Sequence, residues 1–151
     1  MTEALDAQTL FSGVVKAEGA DALNEANLTA WMQDNVAGFE GPIEVFKFAG
    51  GQSNPTYRIN AKSGSYVLRR KPFGQLLPSA HAVDREFKVI NGLYPTGFPV
   101  ARPYGLCTDE SVIGSWFYIM AMVEGRTIWE GAMPGATPEF RRQTYFAMID
   151  T

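Results

Sequence analysis

The chain is predicted to adopt an α+β fold: a five-stranded antiparallel sheet crossed by one helix, with an amphipathic helix before it and a truncated helix after it. Three observations predict this. Apolar residues recur at helical spacing before residue 40 and alternate with a period of two after it. Short runs rich in Val, Ile, Tyr and Phe are separated by turns containing Gly, Ser and Pro. A single strongly amphipathic segment interrupts those runs, so one helix must lie across the sheet.

Each element has its own justification. Leu28, Trp31, Met32 and Val36 share one helical face, with Asn27 as the expected N-cap and "AGFEGP" ending the segment. Strands follow at about Ile43 to Phe48, in "TYRINA" and in "YVLRR", and "KSGS" turns the last two into a hairpin. These three neighbours form a meander. After the loop "KPFGQLLPSAH" comes a helix from about Ala82 to Leu93, then strands in "YGLCTD" and "WFYIMAMV". Gly125 breaks the pattern, "EGAMPGATP" continues it as loop, and "EFRRQTYFAMIDT" reads as a helix still running at Thr151. The expected division is 1–40 as an N-terminal extension, 41–124 as the main folded lobe and 125–151 as a linker and first helix of a further, absent lobe.

Composition excludes several classes. The 151 residues are 46% hydrophobic and 13% aromatic, enough for one core and too apolar for a disordered chain. Thirteen Lys and Arg against 16 Asp and Glu give a net charge of -3, so no global basic field draws nucleic acid or anionic lipid. Any anion site must be local. The lone Cys107 has no internal disulfide partner and no thiol or histidine near it at metal-ligand spacing, which fits a reducing cytoplasm. The first residues, "MTEALDAQTLFSGVV", lack a basic leader and a long apolar core, so a soluble, cytoplasmic protein is expected.

Glu86 is the most informative residue. Its helix presents Val83, Phe87, Ile90, Leu93 and Tyr94 as an apolar stripe, and at 100° per residue Glu86 falls within it. A carboxylate thus points at the sheet. Burying it without a partner would cost roughly several kcal/mol, so a cation is expected on the facing strand. Alternation in "YVLRR" puts Val67 and Arg69 on one face and Tyr66, Leu68 and Arg70 on the other, and whichever arginine faces the helix becomes the partner. A Glu86 at the edge of the stripe would instead make an ordinary surface ion pair.

In order and spacing, "GGQSNPTY", "YVLRRKP", "LLPSAHAVDREFKVI", "FPVARPYGLC" and "FYIMAMVEGR" resemble the aminoglycoside phosphotransferase-like family of the protein-kinase-like superfamily. The pattern is closest to the kinase-like domains fused to acyl-CoA dehydrogenases, and it covers the N-terminal lobe only, from about Leu28 onward. Singly the motifs are weak, since "GGQSN" is neither G-x-G-x-x-G nor a P-loop.

The resemblance implies an ATP-binding lobe of a small-molecule phosphotransferase that moves the γ-phosphoryl group to a hydroxyl acceptor. Gly50, Gly51, Ser53, Asn54 and Thr56 would form a lid over the phosphates, where small side chains let backbone N–H groups approach. Arg69 stands where such kinases usually have a lysine bridging phosphates and a helix carboxylate, here Glu86. Arg70 or Lys71 could share that role. Ala121 C=O and Val123 N–H would meet adenine, with Met120 behind it and Val67 above it. His81 has no Ser, Cys or acid arrangement around it and is read as a capping or solvated residue.

The implied cofactor is ATP, with Mg2+ held only through the missing C-terminal lobe, because no "HGD" loop and no metal-binding asparagine or aspartate of the family occurs in this chain. No catalytic residue and no metal ligand is therefore assigned, and the chain alone is expected to be inactive. The implied partners are ATP and a small hydroxyl-bearing acceptor, with self-association through the exposed lobe interface and no nucleic acid or membrane. The alternative is a non-catalytic nucleotide-binding or protein-interaction module.

Overall fold

The computed structural model describes residues 13–49, 54–72, 82–125, 127–128 and 130–151. Among these residues the centre is an antiparallel sheet of six strands: β1 (Val14–Lys16), β2 (Ile43–Phe48), β3 (Thr56–Ala61), β4 (Gly64–Arg70), β5 (Pro103–Cys107) and β6 (Phe117–Ala121), in the order β1-β2-β3-β4-β6-β5. The meander β2-β3-β4 is where the alternating pattern put it. Two of its strands, β2 and β3, have the expected bounds. The extra strand is β1, which pairs Val14 with Phe48 and Lys16 with Phe46. Three residues are too few to display a period of two, so the sequence offered no signal for it.

Among the described residues three α-helices accompany the sheet: α1 (Glu25–Asn35), α2 (Val83–Leu93) and α3 (Pro138–Ile149). The cap of α1 is Asn24, whose side chain accepts from the Asn27 backbone N–H at 3.0 Å, rather than Asn27 itself. Asn27 lies inside the first turn, and its amide donates to Ser111 O at 3.3 Å. A carbonyl side chain three residues ahead of a waiting N–H makes the better cap, and Asn24 has that spacing. The last helix ends at Ile149 instead of running on to Thr151. Its N-cap Thr137 accepts from Phe140 N, and Thr151 Oγ1 donates back to Ala147 O.

The sheet's two faces are unlike. Tyr57, Ile59, Tyr66, Leu68, Phe117 and Ile119 pack with Leu28 and Met32 of α1 in the apolar core. Trp31 meets Phe117 edge-on at 4.9 Å between ring centroids. Trp31 also explains Gly105, because a Cβ there would come within 3.1 Å of its ring. The opposite face carries Thr56, Arg58, Val67, Arg69, Tyr118 and Met120, as strand alternation requires. Helix α2 lies over part of it, with Val83 fully buried and Tyr94, beyond its end, 42% exposed. The predicted stripe is therefore buried at its start and open at its end.

Candidate functional site

Arg69 and Glu86 meet across strand and helix. Arg69 Nε donates to Glu86 Oε2 at 2.7 Å and Nη2 to Oε1 at 3.4 Å, while Nη1 donates to Thr56 Oγ1 at 3.3 Å. The cause is local. Antiparallel register sets Arg69 opposite both Thr56 and Tyr118, and Glu86 lies one turn into α2 above them. The guanidinium fork meets a carboxylate with N–H groups from two nitrogens held in one plane, a fixed geometry that the single nitrogen of a lysine lacks.

Two further groups close on the same carboxylate. Asn54 Nδ2 donates to Glu86 Oε1 at 2.9 Å, and Tyr118 Oη donates to Oε2 at 3.2 Å. Asn54 is buried and stands directly beyond the glycine-rich turn. Thr56 Oγ1 donates to its carbonyl at 3.1 Å, so two of the predicted lid residues are bonded to each other at the start of β3. Gly50, Gly51 and Ser53 lie outside the described residues, as does His81. Burial first, and the neighbouring Glu86 charge second, push the Tyr118 hydroxyl well above its ordinary pKa, with Arg69 opposing. It stays a protonated donor.

Arg70 points the other way. It is buried on the α1 side, donating to Tyr57 Oη at 3.3 Å and Ser115 Oγ at 3.4 Å. Between the two arginines left open by alternation, the structure selects Arg69 as the partner of Glu86. Lys71, past the strand end, holds its ammonium 3.8 Å from the centroid of the Trp116 ring.

The remaining predicted residues lie alongside. Val67 and Met120 are cross-strand partners, giving adjoining apolar side chains beside Arg69. Ala121 is the last residue of β6, its N–H donating to Arg102 O at 2.8 Å, and Val123 beyond it is 64% exposed. Next to Val67, Arg58 is pinned by Asn60 Oδ1 at 2.9 Å from Nε and by Ser65 Oγ at 3.4 Å from Nη2. Neither Arg58 nor Tyr118 was singled out from the sequence. Register would have flagged Tyr118, since it stands opposite Arg69, but the two strands that pair them lie far apart in the chain.

The model of the family described as "Phosphotransferase enzyme family" matches residues 44–151. The chain belongs to that phosphotransferase family. It is 42% identical over 129 residues to acyl-CoA dehydrogenase family member 11 of Pongo abelii, covering 83% of this chain and 16% of that protein. With acyl-CoA dehydrogenase family member 10 of Mus musculus it shares 45% over 108 residues, 72% of this chain and 10% of that one. The crystal structure of a protein from Ralstonia eutropha JMP134, assigned as an aminoglycoside phosphotransferase, superposes with a TM-score of 0.68 at 42% identity. That match covers 83% of this chain and 35% of the other. This phosphotransferase-family chain thus spans about a sixth or less of the dehydrogenase relatives and about a third of the solved structure. The fold is that of a kinase-like N-terminal lobe, with one strand more than the five expected. No described helix is long and apolar enough to cross a membrane.

Proposed function

We propose that this chain is the ATP-binding lobe of a small-molecule phosphotransferase that passes the γ-phosphoryl group to a hydroxyl acceptor. The observation that carries it is the Arg69–Glu86 pair, set at the foot of a glycine-rich turn within the family match. Phosphoryl transfer asks little covalent chemistry of a protein and much charge positioning, so a cation held in one orientation beside a phosphate-covering turn suits the task. The chemistry of the donor set fits the nucleotide. Arg69 and the Thr56 hydroxyl offer polar contacts for phosphate, while Val67 and Met120 offer an apolar surface for the base next to them.

In this reading Asn54 and Thr56, with Gly50, Gly51 and Ser53, cover the phosphates. Arg69 binds them and Glu86 orients Arg69. Ala121 and Val123 meet the adenine edge, with Met120 behind the ring and Val67 above. ATP would bring Mg2+, which would offset phosphate charge; in this reading its protein ligands and the base for the acceptor hydroxyl belong to a C-terminal lobe. Among the described residues no group of three His, Cys, Asp or Glu is placed to hold a metal ion. Residues 125–151 lead toward that lobe. The exposed Val123, Phe146, Met148 and Ile149 would meet it or, in the isolated chain, a second copy.

Titrating the 151-residue chain with ATP, with and without Mg2+, tests the reading by NMR. Shifts at Thr56, Arg69 and Val123 with no ADP formed from a panel of small alcohols are expected. Turnover by this chain alone, or shifts scattered away from these residues, would overturn it. Light scattering over a concentration series should show self-association, and a clean monomer at high concentration would count against the exposed interface.

A further inference from the structure

Glu86 is gripped from three elements at once: Arg69 on β4, Asn54 before β3 and Tyr118 on β6. An ion pair whose side chains are 30% and 36% exposed is not held by Coulomb attraction alone, because water screens it and both side chains are long. Tyr118 differs from Arg69 and Glu86. It is only 4% exposed, its ring packs against Phe87 at 5.8 Å between centroids, and the sheet register fixes it beside Arg69. A phenol hydroxyl on a packed ring loses little freedom on bonding, so its direction is set before Glu86 arrives.

We propose that Tyr118 is a positioning residue that holds the Glu86 carboxylate on Arg69, with Asn54 tying the foot of the glycine-rich turn to the same carboxylate. The guanidinium is thereby presented in one orientation, with Nη1 turned toward Thr56 at the foot of the turn. Its consequence for ligands rests on the nucleotide reading above: Tyr118 would strengthen binding of the phosphates through Arg69 and leave the base untouched. The raised pKa of the hydroxyl agrees with this role, since a phenolate beside Glu86 would repel the group it is meant to hold.

The test compares the wild-type chain with Tyr118→Phe, which removes one hydroxyl and keeps the ring, and with Asn54→Ala as a second variant. Two readouts are taken: the NMR signal and hydrogen exchange of the Arg69 Nε–H, and the affinities for ATP and for adenosine. Faster Nε–H exchange in both variants is expected, with ATP affinity lowered about tenfold or less and adenosine unchanged. Equal losses for ATP and adenosine would show a merely structural role and overturn the proposal. An unchanged Arg69 signal would overturn it too. If wild-type protein binds neither ligand, the nucleotide reading fails, and Arg69 Nε–H exchange alone then decides for or against Tyr118.

Discussion

Arg69 and Arg70 are neighbours in sequence and opposites in the molecule. Arg69 stays about one-third exposed on the face covered by α2, where a carboxylate, an amide and a phenol gather. Arg70 is 2% exposed on the α1 face, between Tyr57 and Ser115. Strand alternation alone separates them. The apolar face spends its side chains on packing, and even its arginine is fitted into the core. The other face keeps partly exposed charge at its rim, so packing and charge are divided between the two sides of one sheet.

The largest test of that division is in the apolar face. Phe117 is fully buried against Trp31, and Phe117→Ala should destabilise the chain by about 3 to 5 kcal/mol in urea unfolding. Such a loss leaves little of a small domain's stability. A cost near that of a surface substitution would mean that α1 does not depend on this packing. Arg70→Ala comes next. It removes the donor to a fully buried Tyr57 hydroxyl and opens space in the core, for an expected loss of about 1 to 3 kcal/mol with little change in ATP affinity. A large affinity loss at unchanged stability would bring Arg70 into the phosphate site and break the comparison.

Glu86→Gln should reverse the balance. The ion pair is partly exposed and worth about 1 kcal/mol or less, and the weakened bonds from Asn54 and Tyr118 bring the expected stability loss to about 1 to 2 kcal/mol. The guanidinium would lose its anchor, and ATP affinity should fall about tenfold, read by titration. If stability drops further than this and affinity holds, the pair is structural and the site lies elsewhere.

How much of this was legible follows from the range of each interaction. The period-two runs marked β2 and β3 to their ends, because one buried face imposes alternation on every residue. Glu86 was legible as a carboxylate in an apolar stripe, and its need for a cation narrowed the search to two arginines. Which arginine answered depended on the side of the sheet that α2 covers, a tertiary fact. Tyr118 was hidden for the same reason: as part of "WFYIMAMV" it reads as one more aromatic in a strand. Asn27 was mistaken for a cap because two asparagines stand three apart, and only the geometry shows which of them accepts from the other. The three-residue β1 had no pattern to read.

The smallest expected effect concerns pH. The Tyr118 hydroxyl titrates well above its ordinary value of 10.0 in the folded chain, because burial and then Glu86 disfavour the phenolate. In the unfolded chain it titrates near that ordinary value. Between the two, the unfolded state gives up a proton that the folded state keeps, so this residue's contribution to stability is intact below about pH 10 and falls as pH rises beyond it. The wild-type curve sums over every ionisable group, so alone it is uninformative. The difference between wild-type and Tyr118→Phe isolates the one group. Measured by urea unfolding, the stability gap should be flat from pH 7 to 9 and should move against the wild type above pH 10, since phenylalanine has no proton to lose in either state. A gap that stays flat into the alkaline range would mean that the folded and unfolded hydroxyls titrate alike. Tyr118 would then be open to water, and the grip on Glu86 that distinguishes this face from the apolar one would be no stronger than a surface contact.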